Sequence, residues 1–244
     1  MAHAADDFIA PQCFEDISIL YQDADILLIN KPSGLLSLSG KHPANLDSVH
    51  YRLVKEFPGC SLVHRLDLGT SGIMVVAKSK AINAIISKQF SQRSVLKRYT
   101  ALLLGELPND TGEISLPIAK DKPNFPLMKI CEIEGKPAVS TYRVLSREDY
   151  VSTASDNVAD TANTQIPSTR IHAVTRVELT PQTGRTHQLR IHSQQIGHPI
   201  IGCDLYGSRH SHQIAPRLML HATRLEFDHP VTGTRVLGFS PCPF

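Results

Sequence analysis

Three polar segments of the chain combine residue types that can carry out carboxylate or acid–base chemistry. The first is His64-Arg65-Leu66-Asp67, followed by Thr70-Ser71-Gly72 and by the apolar run Ile73–Ala77. A loop that leads into a buried strand can hold a carboxylate rigidly at the edge of a cleft. The same residues also fit a simple turn in which Asp67 only caps the backbone. This segment alone leaves both interpretations open.

The other two segments are basic, and the first of them runs from Thr183 to His192. If a helix starts at Thr186, Arg185 lies at its entry, where its guanidinium can hold a carboxylate ionised and oriented. In Lys97-Arg98-Tyr99, a tyrosine at the start of a strand usually packs, but in a cleft it can stack on a base or move a proton. A solvated basic helix and a packed tyrosine are the ordinary alternatives.

The histidines do not form a recognisable metal-binding pattern. His187 and His192 are five residues apart, unlike the pair of an HExxH motif, and His210 and His212 have no carboxylate nearby in sequence. The sequence also lacks both GxGxxG and GxxxxGK[ST]. We therefore expect neither a metal nor a cofactor.

Composition places the chain among ordinary globular proteins. Of its 244 residues, 41% are hydrophobic and 20% are charged, with a formal net charge of +2. Such a charge permits a nucleic-acid partner only if the basic surface is local. No apolar run reaches the ~18 residues of a membrane span. Five scattered cysteines without a CxxC predict free thiols in the cytoplasm, and we expect a monomer.

The elements that must position these segments are mostly strands in hairpin-like order. This favours an α+β domain with a mixed, largely antiparallel sheet over a doubly wound fold. We expect residues 1–15 to be a short mobile lead-in, 16–244 to be one domain, and 151–169 to be a long exposed loop. The predicted strands are 17–21, 26–30, 72–77, 99–104, 138–145, 174–179, 218–227 and 234–239. Helices are predicted from Asp47 to about Phe57, after Ser79, and over Thr186–Gln195.

Taken together, the segments resemble a known family. His64-Arg65-Leu66-Asp67 with Thr70-Ser71-Gly72 resembles the HRLDxxTSG signature of the RluA-type pseudouridine synthases. Four further segments resemble that family's motifs in the family's order: Asn30-Lys31-Pro32-Ser33-Gly34, Lys97-Arg98-Tyr99, Thr183-Gly184-Arg185-Thr186-His187-Gln188-Leu189-Arg190 and Leu220-His221-Ala222. The resemblance extends from about Ile17 to Phe239.

Within the family, the chain resembles the RluA subgroup, which modifies both a 23S rRNA stem-loop and a tRNA anticodon loop. The region from Pro123 to Ala138 is similar to that subgroup, and we expect no S4-type RNA-binding domain before Ile17. One departure is Gly202-Cys203-Asp204-Leu205-Tyr206, where the family commonly has G-D-x-x-Y. We therefore expect no catalytic role for Cys203 or Asp204.

The resemblance implies a fold, a reaction and a set of roles. The fold would be a sheet core split by a catalytic cleft and flanked by helices and loops. The enzyme would isomerise uridine to pseudouridine in structured RNA, with Asp67 as the essential carboxylate. Tyr99 would stack on the uracil and is a candidate base, and Arg185 would pair with Asp67. The residues expected to contact RNA are His64, Arg65, Lys31, Arg93, Lys97, Arg98 and Arg190.

Two other hypotheses remain beside this one. A related synthase could act on a different tRNA or rRNA uridine, because such targets are read by RNA shape. A protein of a different class, an RNA-binding or chaperone protein without catalysis, would not need Asp67, Tyr99 and Arg185. A glycosidase or metal hydrolase would need a second catalytic acid or a cluster of ligands, and the sequence offers neither.

Overall fold

The fold is built around one long β-sheet. In the computed structural model, which describes residues 8–154 and 168–244, ten strands form this sheet and two more form a separate hairpin. The strands are β1 (Ser18–Gln22), β2 (Ile26–Lys31), β3 (Ser61–Leu62), β4 (Ser71–Ala77), β5 (Leu96–Leu104), β6 (Thr111–Ser115), β7 (Ile118–Lys120), β8 (Met128–Ile130), β9 (Val139–Ala154), β10 (Ser168–Pro181), β11 (Leu220–Asp228) and β12 (Arg235–Phe239). The helices of the described residues are α1 (Val49–Glu56), α2 (Lys80–Ser91), α3 (Gln188–Gln195) and α4 (Arg209–Gln213).

The strand order confirms the expected α+β architecture. The sheet runs β1-β2-β4-β11-β5-β10-β9-β6, with β12 beside β11 and β3 beside β4. The ladder between β4 and β11 is parallel, and the other ladders between described strands are antiparallel. The parallel ladder joins the first half of the chain to its last part at the middle of the sheet.

The hydrophobic core is divided into two clusters that meet beside β5. One is formed by β2, β4, α1 and α2 with the end of β11, and the other by β5, β10, α3 and the segment before β11. Tyr99 packs against both clusters. It therefore lies at the seam between the two halves, where a cleft can open without exposing either core.

The helix caps confirm the predicted start of α2 and move the start of α1 by one residue. The Ser79 side chain accepts from Ile82 N at the start of α2, as predicted. In α1, Ser48 and not Asp47 is the N-cap, since Ser48 Oγ accepts from Tyr51 N at 3.1 Å. Asp47 instead forms a two-pronged ion pair with Arg52, with both N···O distances between 2.6 and 2.7 Å.

Two expectations about irregular segments are corrected. Residues 8–15 are tied to the domain: Asn45 bonds the backbone of Phe8 and Ala10, and Arg52 donates to Cys13 O and Glu15 O. Residues 1–7 of the expected lead-in lie outside the described residues. The expected loop 151–169 is in part strand, because β9 continues to Ala154 and β10 starts at Ser168, and residues 155–167 are not described. None of the helices in the described ranges is long and apolar enough to cross a membrane.

Candidate active site

The loop that carries Asp67 is held by the segment that follows β2. Ser37 Oγ donates to Leu66 O at 2.7 Å, and Ser33 Oγ donates to Gly69 O at 2.7 Å. Gly34 N donates to Leu68 O at 2.9 Å. These bonds fix the backbone on both sides of Asp67, so the position of the carboxylate is set by the whole Asn30–Ser37 segment and not by Asp67 alone.

Lys31 also takes part in the hydrogen bonds that hold the Asp67 loop, and this corrects its predicted role as an RNA contact. Its side chain is fully buried, and Nζ donates to Pro32 O, Leu35 O and Leu68 O at 2.7 to 3.1 Å. Burial lowers the pKa of this ammonium to about 7, against a smaller opposing effect of Cys13 and Asp67. All three donors are used inside the protein, so none reaches a phosphate.

The backbones of β4 and β11 approach each other closely, and this explains the residue types of two motif-like segments. Gly72 has φ +116°, and a Cβ there would lie 2.3 Å from Ala222 O across the β4–β11 ladder. Beside it, Ser71 Oγ lies 2.7 Å from His221 Nδ1, and Arg217 also donates to Ser71 Oγ. Thr70-Ser71-Gly72 and Leu220-His221-Ala222 therefore form one buried joint directly after the Asp67 loop.

A cleft of about 330 Å³ opens above this joint. That volume lies at the lower end of the range for small-ligand sites. Asp67 and Tyr99, both predicted as catalytic, line the cleft, and so does Arg185. Its other lining residues are His64, Arg65, Leu66, Thr70, Phe90, Lys97, Pro181, Thr183, Gly184, Thr186, His187, Gln188, Leu189, Arg190 and Leu220.

The arginine beside Asp67 is Arg190, and the predicted Asp67–Arg185 pair is not formed. Arg190 Nη1 lies 3.8 Å from Asp67 Oδ2, and its side chain is only 4% exposed. Arg185 Nε donates instead to Pro137 O at 3.1 Å. The reason is local: α3 starts at Gln188, two residues later than expected, and Gln188 Oε1 accepts from Arg185 N. Arg190 then points from the first turn of α3 towards the carboxylate.

Arg190 is fixed by a second set of contacts, so its predicted role in binding phosphate is also corrected. Nε and Nη2 each lie 3.4 Å from Cys203 Sγ, Nη2 forms an ion pair with Asp204, and the guanidinium lies 5.5 Å from the Tyr206 ring centre. Burial lowers the pKa of Arg190, but Cys203, Asp67 and Asp204 together outweigh it and raise the pKa. Cys203 and Asp204 therefore position the arginine that faces Asp67.

Tyr99 and His64 are both uncharged in the cleft. Burial, and then the charge of Asp67, raises the pKa of the Tyr99 phenol well above its usual value. Burial lowers the pKa of His64 to about 3, with a smaller effect from Lys97. His64 Nε2 accepts from Val75 N at 3.2 Å, and its ring stacks on Phe90. His64 is thus a packed, neutral ring in the wall of the cleft, and its predicted contact with RNA stays a prediction.

Among the remaining predicted RNA contacts, Lys97 and Arg98 lie on opposite faces of β5. Arg98 points away from the cleft and pairs with Glu178, with a closest N···O distance of 3.5 Å. This corrects its assignment to the RNA-binding set. Lys97 lines the cleft, where burial and then Arg93 lower its pKa. Arg65 and Arg93 have exposed side chains. The positive charge around the opening comes from Arg65, Lys97 and Arg185, with Arg93 next to Lys97.

Sequence patterns did not reveal the buried polar residues beneath the cleft. Lys31, Arg190, Tyr206 and His221 were either assigned to RNA or given no role. Each belongs to a hydrogen-bond network formed by segments that are distant in sequence. A signal was nevertheless present, because Lys31, Arg190 and His221 all stand in the motif-like segments beside strongly apolar neighbours.

One group of potential metal ligands occurs in the described ranges, and it is far from this chemistry in sequence. Ligand atoms of Asp23, Asp25 and His229 lie within 4.8 Å of one another. Asp23 Oδ1 accepts from Asp25 N and Ile26 N, and Oδ2 accepts from the Tyr21 hydroxyl and lies 3.0 Å from His229 Nε2. These hydrogen bonds stabilise the turn of the β1–β2 hairpin, and this explains why the three side chains lie close together.

Comparisons with known proteins show which family the chain resembles. The family described as RNA pseudouridylate synthase matches residues 25–195. The chain is 43% identical over 216 residues to the dual-specificity RNA pseudouridine synthase RluA of Yersinia pestis, covering 88% of this chain and 94% of that protein. It is 41% identical over 226 residues to the protein of the same name from Escherichia coli K12, covering 93% of both chains.

A solved structure supports the same relationship. The structure named human RNA pseudouridylate synthase domain containing 1 superposes with a TM-score of 0.73 and 32% sequence identity. The match covers 96% of this chain and 86% of the human chain. The expected fold, a sheet core with a cleft between its halves, is therefore confirmed.

Proposed function

This chain belongs to the RNA pseudouridylate synthase family, and we propose that it isomerises uridine to pseudouridine in a 23S rRNA stem-loop and in a tRNA anticodon stem-loop. The observation that carries the proposal is the Asp67 carboxylate, held in a cleft beside the buried Arg190 and in the same cleft as Tyr99. The names of the bacterial relatives, which describe dual specificity, support the choice of two RNA targets.

The reaction needs a positioned carboxylate more than any other group. The C1′–N1 bond of uridine breaks, the uracil turns, and C5 bonds to C1′; the proton on C5 is then lost and N1 gains one. Asp67 can attack the sugar, attack the base or remove a sugar proton. Covalent catalysis by a carboxylate at a sugar carbon is established chemistry in glycosidases. All three paths require an ionised carboxylate of fixed direction, which Arg190 supports by its charge and its closeness.

The target base must leave its stack to reach Asp67. Unstacking costs a few kcal/mol, and an aromatic platform offsets part of this cost. Tyr99 is suited to be that platform, because its ring packs between the two core clusters and faces the cleft. The exposed Arg65, two residues before Asp67, can enter the space that the base leaves, since guanidinium planes stack on bases.

Phosphate contacts are assigned to cations that the protein leaves available at the opening. We place Lys97, Arg93 and Arg185 in this role together with Arg65. Each such contact is individually weak and sensitive to salt. Arg185 is thus proposed as an RNA contact and not as the partner of Asp67.

The test is tritium release from RNA that contains 5-tritiated uridine. We expect release from transcripts of both the 23S rRNA stem-loop and the tRNA anticodon stem-loop, at a limit of one tritium per target site. Release from total cellular RNA but from neither transcript would indicate a related synthase with another target. Binding of the transcripts without release from any RNA would indicate the non-catalytic alternative and contradict the proposal.

A further inference from the structure

His187 lies at a strained position in the wall of the cleft. It has φ +56°, a left-handed backbone conformation that is uncommon outside glycine, although asparagine, aspartate and histidine adopt it more often than other residues, and it immediately precedes α3. Its ring lines the same cleft as Asp67 and Tyr99. Strain of this kind is retained where the surrounding structure or the function requires it.

The proton of the His187 ring can be assigned from its neighbours. The Tyr206 hydroxyl oxygen accepts from Met128 N at 2.9 Å and lies 2.8 Å from His187 Nδ1. The Tyr206 hydroxyl has no other acceptor among the described residues, so its single proton is donated to Nδ1. A neutral imidazole that accepts at Nδ1 carries its own proton on Nε2. The two bonds of Tyr206 therefore set both the tautomer and the orientation of the ring.

The neutral form of the ring is favoured by its surroundings. Burial lowers the pKa of His187, and the opposing charges of Asp67, Arg190 and Asp204 partly cancel each other. Nε2 makes no hydrogen bond within the described part of the chain and is not among its buried unpaired polar atoms. The Nε2–H group is thus a fixed donor that remains accessible from the cleft.

We propose that His187 Nε2–H donates a hydrogen bond to a carbonyl oxygen of the target uracil and stabilises the detached base. This inference rests on the proposed function. When the C1′–N1 bond breaks with its electron pair on nitrogen, negative charge spreads over the uracil onto O2 and O4. A preorganised donor aimed at such an oxygen contributes most when the charge has developed. Lys97 and Arg185 are charged and flexible, whereas His187 is a short, neutral donor of fixed direction.

The first experiment compares three variants in single-turnover assays at saturating RNA. His187→Phe keeps a flat ring but has no donor. His187→Asn tolerates the left-handed backbone, but its amide reaches only to the position of Nδ1. His187→Gln can place an N–H near the position of Nε2. We expect His187→Phe and His187→Asn to slow turnover about 10- to 100-fold, with RNA affinity within threefold of wild type. His187→Gln should turn over at least about three times faster than either of them.

A second experiment identifies the acceptor. RNA carrying 2-thiouridine or 4-thiouridine at the target replaces one carbonyl oxygen by sulfur, a weaker acceptor. We expect one of these substitutions to slow the wild type about tenfold or more and to have less than a threefold effect in His187→Phe. The inference would be overturned if His187→Phe and His187→Asn both turned over within threefold of wild type. It would also be overturned if thiouridine slowed the wild type and His187→Phe by the same factor. A wild type that releases no tritium from any RNA would instead contradict the proposed function, which separates the two failures.

Discussion

Lys31 Nζ lies 3.1 Å from the carbonyl oxygen of Leu68, the residue that follows Asp67. This bond joins the end of β2 to the loop that carries the proposed catalytic carboxylate. The same amino group also donates to Pro32 O and Leu35 O, so one buried lysine holds three backbone carbonyl groups in place. The position of Asp67 therefore depends on a fully buried residue that does not line the cleft.

Replacing Lys31 should change the pH dependence of stability. Its folded pKa is about 7, below the ordinary value of 10.5, so the unfolded chain binds more protons between these values. The free energy of unfolding should rise with pH across that window because of this group. Lys31→Met should remove this rise and also slow turnover by loosening the Asp67 loop. Urea unfolding of both proteins at pH 7 and pH 9 measures the difference.

Lys80→Met is the matched control for that experiment. Lys80 is exposed at the first residue of α2, so its removal should change stability by less than about 0.5 kcal/mol at either pH. A Lys31→Met protein whose stability deficit stays constant or shrinks from pH 7 to pH 9 would contradict the expected linkage.

Arg190 and Arg185 provide a matched pair for testing which arginine serves Asp67. Arg190→Met leaves Asp67, Cys203 and Asp204 without the cation that they share, so Asp67 loses both the nearby charge and the neighbour that fixes its direction. We expect it to lower the single-turnover rate by at least 100-fold, and Arg190→Lys to lie between Met and wild type. Arg185→Ala should mainly weaken RNA binding, lower the salt slope by about one, and keep the rate at saturating RNA. The reverse ranking would mean that Arg185 turns to Asp67 when RNA binds.

Asp67→Asn tests the carboxylate itself. The amide keeps the size of the side chain and removes its charge, so turnover should fall below detection while RNA affinity stays within about threefold of wild type. Tritium release and filter binding on the same transcript measure the two quantities. Residual activity within tenfold of wild type would assign the chemistry to another group.

Gly72→Ala tests the joint behind the Asp67 loop. A Cβ at this position would lie 2.3 Å from Ala222 O, at a φ of +116° that disfavours any side chain. Neither backbone can yield without opening the β4–β11 ladder, so we expect a loss of about 3 kcal/mol in the free energy of unfolding. In the control Gly184→Ala, the closest atom to the new Cβ is Lys97 Nζ at 4.0 Å, and stability should change little. Equal stabilities of the two variants would contradict the close-packed joint.

The sequence predicted the longer elements in their correct order, because hydrophobic periodicity and capping residues are local signals. The β1–β2 hairpin and the Ser79 cap are examples. It missed the short strands β3, β6, β7 and β8 and the helix α4. The sequence-based prediction failed where contacts between distant segments determine the position of a side chain. The choice between Arg185 and Arg190 depends on a two-residue shift in the start of α3, which Gln188 enforces by accepting from Arg185 N. Likewise, the apolar neighbours of Lys31 are the only local signal that this fully buried lysine differs from one exposed to RNA.

The Tyr99 phenol provides the last prediction. Burial and the Asp67 charge raise its pKa well above the usual value, so it is protonated at neutral pH and is a poor base there. Its ring, which packs against both core clusters, remains able to stack on the uracil. We therefore expect Tyr99→Phe to retain clearly more single-turnover activity than Tyr99→Leu, by at least tenfold, because only Leu removes the aromatic platform. Melting temperatures of the two variants control for packing. If both variants are equally inactive while folded, the hydroxyl is essential, and proton removal by Tyr99 must be restored to the mechanism.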